Sequence, residues 1–322
     1  MIQPPSAAPA GPALIIGGGT MAVGIAARLV AAGVDTVVLV RRAEAVAAAR
    51  AEVTRRVARL ARYHLTENRA ASARSDERLT VLRGEPTGPF ALAVESVAED
   101  LEAKHAALAR AEAAVAADGI VTTNTSSLRL SELGHGLAHP DRFAGWHWFN
   151  PAELVPLVEI VGGPQTAPTT LQRLTALSKA IGKQPITVRR DIPGFVANRL
   201  QYALLREAYA LVEAGVCDIA DVERAVVSGL GARWAGIGPF AAMDAAGLDV
   251  HETVAAQLFP QLSRDTGVPA LLRRVRRRGA IGVKGGNGLC GAYPPKEARR
   301  LVAHRDDILA LLSRASQGIK AP

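Results

Sequence analysis

The first part of the chain alternates short apolar runs with amphipathic segments. Ala13–Ile16 is an apolar run that stops at Gly17–Gly19, and Thr20–Ala32 has the 3.6-residue periodicity of a helix. Thr36–Val40 is a second apolar run, rich in β-branched residues. A strand, a glycine turn, a helix and a second strand within about 30 residues predict a βαβ unit with two parallel strands.

The same alternation continues to Arg190. Only helical patterns follow it, at 195–213, 219–227, 239–258, 269–277 and 296–313. Helices are predicted at 43–65, 99–117 and 169–181, and strands at 79–82, 90–94, 120–123, 143–147, 157–161 and 185–189. Strands mixed with helices, followed by helices alone, predict two domains. We therefore expect an α/β fold with a Rossmann-type, doubly wound, mostly parallel sheet at 11–189, a second, all-helical domain at 190–322, and a flexible tail at 1–10.

Composition excludes several classes of protein. Apolar residues make up 49% and charged residues 21% of the 322 residues, which excludes global disorder. No apolar run approaches the roughly 18 residues that a membrane span needs, so no membrane association is expected. The two cysteines, Cys217 and Cys290, lack metal-site spacing and fit a reducing, cytoplasmic compartment, and no metal is expected.

The net charge of +8 comes mostly from arginine. Arginine and alanine enrichment fits either a GC-rich genome or an anionic ligand or partner. Aromatic residues make up only 4%, which argues against a nucleic-acid partner because stacking surfaces are scarce. The strongest charge run, Arg273–Arg278, is either a solvated helix face or a contact for the phosphates of CoA or an acidic carrier protein.

The glycine turn after the first strand matches the G-x-G-x-x-A form of a dinucleotide site. Gly17 permits a tight turn, Gly19 allows the backbone to approach a pyrophosphate, and Ala22 lets the helix pack against the sheet. Thr20 and Met21 open the helix, whose free N–H groups and positive end favour phosphate. The turn therefore predicts binding of a dinucleotide.

The end of the second strand carries Arg41 and Arg42 where an NAD site usually has Asp or Glu. A guanidinium cannot accept a hydrogen bond from ribose hydroxyls, but it forms forked, charge-assisted hydrogen bonds with a 2′-phosphate. The pair therefore indicates NADP rather than NAD. The alternative is that both are solvated surface arginines.

Four polar motifs follow in order along residues 124–199. They are Asn124–Ser127 (NTSS), Gly145–Pro151 (GWHWFNP), Val158–Val161 (VEIV) and Asp191–Arg199 (DIPGFVANR). His147 lies at a predicted strand end, and imidazole suits a general base because it titrates near neutral pH. Glu159, on the next strand, is placed to orient that ring.

Two further polar residues complete the candidate site. Ser126 follows a strand and Asn198 begins a long helix, and either group is able to bond a substrate oxygen. Each of these side chains taken alone also fits a purely structural role, but the order of the four motifs along the chain favours a functional one.

These motifs resemble the short-chain L-3-hydroxyacyl-CoA dehydrogenase family, whose superfamily includes L-gulonate and carnitine dehydrogenases and lambda-crystallin. The resemblance runs from Leu14 to about Gly291. It implies that His147 and Glu159 are the catalytic pair and that Ser126 and Asn198 position the substrate. It also implies a homodimer formed through the helical domain. Further contacts expected from it are Glu99, Lys104 and Asn124 toward the cofactor, and Asn150 and Arg233 toward the substrate.

The sequence departs from classical members of that family in the region expected to meet substrate. The segment 231–239 resembles the R-[WY]-A-x-x-G-P pattern of the gulonate and carnitine branch, and Lys284–Gly288 keeps a K-x-G-x-G loop without the usual aromatic pair. The first expectation is an NAD(P)-dependent dehydrogenase of 3-hydroxyacyl thioesters, carried on CoA or a carrier protein. The alternatives are a free 3-hydroxy acid, with Arg233 receiving its carboxylate, or a non-catalytic, crystallin-like cofactor-binding protein.

Overall fold

A computed structural model of the protein describes residues 11–66 and 75–316, and it divides them into two compact units. The first contains residues up to Val196 together with residues 309–316, and the second contains Ala197–Ile308. The predicted tail at 1–10 lies outside the described residues. Within the described ranges, no helix is long and apolar enough to cross a membrane.

The first unit is built on an eight-stranded sheet with the order β3-β2-β1-β4-β5-β6-β7-β8. Its strands are β1 (Ala13–Ile16), β2 (Thr36–Leu39), β3 (Leu79–Leu82), β4 (Phe90–Glu95), β5 (Val115–Thr123), β6 (Phe143–Trp148), β7 (Leu157–Gly162) and β8 (Gln184–Val188). Strands β1 to β6 are parallel, β7 is antiparallel to β6, and β8 is parallel to β7. This confirms the Rossmann-type, mostly parallel sheet.

Helices cover both faces of this sheet. They are α1 (Thr20–Ala31), α2 (Ala45–Arg62), α3 (Ser75–Arg78), α4 (Leu101–Ala114), α5 (Leu130–Leu133) and α6 (Pro168–Ala180). In β1, Ala13 and Ile15 pack into the apolar core on one face, and Leu14 and Ile16 pack into the core on the other. Successive strand residues point to opposite faces, so an uninterrupted apolar strand indicates a sheet buried on both sides.

The second unit is helical, as predicted, with one small addition. It contains α7 (Ala197–Glu213), α8 (Ile219–Arg224), a π-helical segment (Ala225–Gly231), α9 (Ala232–Trp234), α10 (Pro239–Ala246), α11 (Leu248–Leu258), α12 (Ala270–Arg277) and most of α13 (Pro295–Ser316). The addition is a pair of two-residue strands, Asn287–Gly288 and Gly291–Ala292. Within Ala197–Ile308 only Leu271 and Asp306 are buried.

The boundaries differ from the sequence expectation in three places. The units divide after Val196 rather than at 189/190, because Phe195 is buried in the first core and the Val196 amide bonds a carboxylate of β7. Residues 309–316 return to the first unit, where Ala310 is buried. Residues 115–117, predicted as helix, are strand because Val115 pairs with Phe90 of β4.

Candidate active site

The glycine turn between β1 and α1 has the geometry that a phosphate cradle requires. Gly17 has a φ of 137°, and a Cβ there would collide with the carbonyl oxygen of Ser96. A Cβ on Gly19 would meet no atom within 4 Å, so this backbone is open to a ligand. Gly19 caps α1 without a side-chain hydrogen bond, which leaves the first N–H groups for an anion.

This turn lies where the sheet order reverses, between β1 and β4, which is the usual ligand crevice of such sheets. Thr20 and Met21 begin α1 there, and Ala22 is fully buried against the sheet. The residues present therefore fit a nicotinamide dinucleotide, with the pyrophosphate held by the α1 N-terminus.

The two arginines after β2 are both exposed and have different surroundings. Arg42 forms an ion pair with Glu44 at 3.5 Å. Arg41 forms no ion pair with any residue that the structure describes. The guanidinium of Arg41 is therefore the one available to a ligand phosphate at this edge of the sheet.

Glu99 organises the NTSS turn after β5. Its Oε1 accepts hydrogen bonds from Thr125 Oγ1 at 2.6 Å and from the amides of Ser126 and Ser127, both at 2.9 Å. Burial alone would raise the pKa of Glu99, but the Thr125 hydrogen bond, the Lys104 charge and the turn amides together lower it to about 2. Glu99 is therefore an anion that fixes the shape of this turn.

Lys104 is buried next to Glu99. Its side chain is 1% exposed, and its Nζ donates to both oxygens of the buried Glu95 at 2.9 and 3.0 Å and lies 3.3 Å from Glu99. Lys104 therefore supports Glu99, and its expected contact with the cofactor stays a prediction.

The proposed catalytic pair is assembled directly by strand pairing. His147 on β6 lies opposite Glu159 on β7 in the antiparallel register, and its Nδ1 is 2.7 Å from Glu159 Oε2. Both residues are buried, with 4% and 0% exposure. The other oxygen of Glu159 accepts from the Val196 amide at 2.9 Å. This arrangement fixes the ring and leaves Nε2 as the nitrogen that can exchange a proton with a substrate.

Aromatic rings enclose this histidine. The ring centroids of Phe149 and Phe195 lie 4.5 and 5.5 Å from that of His147. Asn124 links the tips of the surrounding strands, since its Oδ1 accepts from the Trp148 amide at 2.9 Å. Asn124 thus positions the strand that carries His147, whatever contact it makes with a cofactor.

The remaining predicted residues lie in separate places. Ser126 is half-buried in the NTSS turn, and its Oγ donates a long hydrogen bond of 3.4 Å to Glu99 Oε1. Asn150 is exposed in the loop after β6. Asn198 belongs to α7 and Arg233 to α9, both in the second unit. Arg233 is exposed and donates to the Gly229 carbonyl at 3.3 Å.

Sequence reasoning missed four charged residues around the loop between β6 and β7. Glu153 is 2% exposed within that loop and pairs with Arg56 and Arg59 of α2. Lys183 is also buried, and it donates to carbonyls of the same loop and lies over the Trp148 ring. The detectable signal is Glu153 itself, a single acid inside the apolar stretch Pro151–Val158.

Comparison with known proteins agrees with this geometry. The family model for the NAD-binding domain of 3-hydroxyacyl-CoA dehydrogenase matches residues 13–192, and that for its C-terminal domain matches residues 194–291. The chain is 35% identical over 305 residues to 5-formyl-3-hydroxy-2-methylpyridine 4-carboxylate 5-dehydrogenase of Mesorhizobium japonicum, covering 94% of this chain and 97% of that protein. It is 36% identical over 247 residues to the mitochondrial hydroxyacyl-coenzyme A dehydrogenase of Sus scrofa, covering 74% and 77%.

A solved structure shows the same fold over almost the full length. The crystal structure of a 5-formyl-3-hydroxy-2-methylpyridine 4-carboxylic acid 5-dehydrogenase, described as an NAD⁺-dependent dismutase, matches with a TM-score of 0.86 and 32% identity. The match covers 96% of this chain and 99% of that one. With both family domains and the buried His147–Glu159 pair in place, this chain belongs to the 3-hydroxyacyl-CoA dehydrogenase family and is a nicotinamide-dependent oxidoreductase.

Proposed function

We propose that the protein catalyses the reversible oxidation of a hydroxyl group on a free hydroxy-carboxylic acid, with His147 as the general acid and base. The observation that carries the proton-transfer role is the buried contact of 2.7 Å between His147 Nδ1 and Glu159 Oε2. Because Glu159 accepts the Nδ1 proton, the neutral ring presents an unprotonated Nε2, which is the form a base needs.

Each residue then has a definite task in the oxidation. A nicotinamide dinucleotide held by Gly17, Gly19 and the N-terminus of α1 would supply the hydride acceptor. His147 takes the hydroxyl proton at Nε2, and the buried Glu159 stabilises the resulting imidazolium. Ser126 donates a hydrogen bond to the substrate oxygen, and the family resemblance assigns a substrate-positioning role to Asn198 as well. In the reducing direction His147 returns the proton. A retained catalytic pair also argues against a purely binding, crystallin-like role.

The choice of a free acid over a thioester rests on two observations. The relative from Mesorhizobium japonicum, similar over 94% of this chain, is named for a pyridine carboxylate, which is not a thioester. The segment containing Arg233 departs from the classical acyl-CoA pattern and supplies an exposed guanidinium suited to a carboxylate. A 3-hydroxyacyl thioester is the second candidate, supported by similarity to hydroxyacyl-CoA dehydrogenases over 74% of the chain.

A substrate panel decides between the two classes. The purified protein is assayed by nicotinamide absorbance with free 3-hydroxy acids, hydroxymethyl and formyl aromatic carboxylates, and 3-hydroxyacyl thioesters. We expect kcat/KM at least tenfold higher for a free acid. Turnover of thioesters alone would overturn the substrate proposal, and Arg233→Gln should raise KM for the acid more than it lowers kcat.

We also propose that NADP is preferred over NAD. Arg41 is exposed at the end of β2, has no ion-pair partner among the described residues, and replaces the usual acid. A charge-assisted hydrogen bond to the 2′-phosphate contributes about 1.5–3 kcal/mol, or roughly ten- to a hundredfold at about 1.4 kcal/mol per tenfold. Comparing kcat/KM for NADPH and NADH in the wild type and Arg41→Asp tests this. A wild type that prefers NADH would refute it.

A homodimer formed through the helical unit is proposed as the working assembly, in the cytoplasm, where both free cysteines would stay reduced. Large apolar side chains are unusually exposed in this unit, including Phe240 at 87%, Phe259 at 64% and Leu200 at 64%. Such extended apolar exposure is typical of a surface covered by a partner. Analytical ultracentrifugation should give twice the chain mass of 33.7 kDa, and a monomer at micromolar concentration would refute the proposal.

A further inference from the structure

A buried ion pair connects the start of α1 with the loop between β6 and β7 inside the first unit. Glu153 lies midway along the chain between His147 and Glu159, in the loop that joins their strands. Its side chain is 0% exposed, and its Oε2 is 3.0 Å from Arg56 Nη1. The same Nη1 donates to the carbonyl oxygen of Thr20, the first residue of α1, at 3.1 Å. Arg56 Nη1 therefore bonds both α1 and the loop between β6 and β7.

The atoms around Arg56 Nη1 leave no room for a side chain at Gly24 of α1. A Cβ on Gly24 of α1 would lie 2.7 Å from Glu153 Oε2 and 2.9 Å from both Arg56 Nη1 and the Ala152 side chain. The glycine thus lets α1 pass directly against the pair. Arg56 is further held by Glu52 Oε1 at 2.7 Å, and Arg59 pairs with the second oxygen of Glu153.

We propose that Arg56 and Glu153 are positioning residues that link cofactor binding at the N-terminus of α1 to the alignment of the His147–Glu159 pair. Neither side chain reaches the reacting atoms. Buried ion pairs in general add little net stability, because desolvation offsets their attraction. The Arg56–Glu153 contact is better explained by the way it aligns α1 with the loop between β6 and β7. The effect on turnover rests on the proposed role of His147, whereas the effect on cofactor affinity does not.

The experiment uses the full chain and two independent readouts. Cofactor Kd is measured by direct titration of NADPH and NADH fluorescence without substrate. kcat and its pH profile are measured at saturating cofactor with the best substrate of the panel. We expect Glu153→Gln to raise the cofactor Kd about tenfold, although Glu153 lies outside the glycine turn Gly17–Gly19. We expect Arg56→Gln to lower kcat about tenfold and to move the acid limb of the pH profile.

Matched variants separate positioning from simple folding defects. Arg55→Gln removes a neighbouring arginine that pairs with Glu52 and is 69% exposed, so both readouts should stay within twofold of the wild type. Arg56→Lys keeps a charged nitrogen that can meet both Thr20 O and Glu153, and it should restore most of the loss seen in Arg56→Gln.

The double variant Arg56→Met/Glu153→Met is the decisive arm. Replacing a buried pair by apolar residues of similar volume is often neutral or stabilising, but here the change also removes a partner of Arg59 and of Glu52. The thermal midpoint is therefore measured first, and both readouts are taken well below it, where the cofactor Kd should rise and kcat should fall. A double variant with wild-type Kd and kcat would show that the pair is only structural. A Glu153→Gln protein that is folded and binds cofactor within twofold of the wild type would also overturn the proposal. His147→Gln, which should lose turnover but keep its cofactor Kd, reports separately on the proposed catalysis.

Discussion

Replacing Glu159 with glutamine tests the catalytic pair most directly, because the two side chains have the same shape. The Val196 amide donates to Glu159 Oε1, so a glutamine would keep its carbonyl oxygen at that position. Its NH₂ group would then face His147 Nδ1, where the carboxylate now lies at 2.7 Å. The ring would become an acceptor at Nδ1 and carry its proton on Nε2. That tautomer cannot take a proton from the substrate.

Two losses combine to set the expected size of the effect. Losing the carboxylate removes a charge-assisted hydrogen bond that contributes about 1.5–3 kcal/mol to the imidazolium, or roughly ten- to a hundredfold. The wrong tautomer removes general base catalysis, which contributes about 10²–10⁴-fold. Because the two effects act on one proton transfer, they do not simply multiply. We expect kcat for Glu159→Gln to fall about 10³-fold.

The assay is kcat in both directions together with the cofactor Kd and the thermal midpoint. The Kd and the midpoint should stay near wild-type values, because glutamine keeps both hydrogen bonds and removes a buried charge. Glu112→Gln is the matched control, since Glu112 accepts from the amides of Ala138 and His139 in the same unit but away from the pair. A folded Glu159→Gln enzyme that keeps more than a tenth of kcat would refute this reasoning.

Three further predictions follow from the described contacts. Gly17→Ala should unfold at a lower temperature and lose cofactor binding, because its Cβ would collide with Ser96. Gly19→Ala should keep its melting temperature, and only its cofactor Kd should rise, by about tenfold or more in a fluorescence titration. Glu99, with its pKa lowered to about 2, contributes stability that is present above about pH 5 and lost as the pH falls toward 2. Urea titrations of Glu99→Gln should therefore show a smaller loss of stability across that window, and an unchanged pH dependence would contradict the assigned hydrogen bonds. Burial, with a smaller contribution from a nearby arginine, lowers the pKa of Lys183. The unfolded chain therefore binds more protons than the folded one, and the stability of the wild type should rise with pH up to about 10.4. Lys183→Met should lose that rise, and an equal pH dependence of stability in wild type and variant would contradict the lowered pKa.

Local patterns were sufficient for most elements and for placing His147 and Glu159 on neighbouring strands. The apolar run Ala13–Ile16 and the glycine turn after it are encoded within a few residues, and the structure has them where predicted. The expected helix over 239–258 is instead two helices, because Gly247 adopts a φ of 98° and ends α10. A glycine within an apolar helical pattern does not reveal its φ, so this break had no clear local signal.

The charged contacts that sequence analysis missed form only when the elements pack together. Lys104 pairs with Glu95 at the end of β4, a contact that the sequence around Lys104 did not indicate. Arg56 and Glu153 are separated by 97 residues and meet only after α2 and the loop after β6 pack on α1. Helical periodicity places Arg56 on a face of α2, but it does not say which acid that face will meet.

The return of residues 309–316 to the first unit affects the order in which the protein is made. Ala310 is 1% exposed in the same apolar cluster as the residues of α1 and α2, yet the whole of Ala197–Ile308 is synthesised before it. At roughly 5–20 residues per second, that delay is on the order of ten seconds. During translation the core of the first unit is therefore without Ala310 until the second unit has been made. Its apolar cluster becomes complete only after residues 309–316 have left the ribosome.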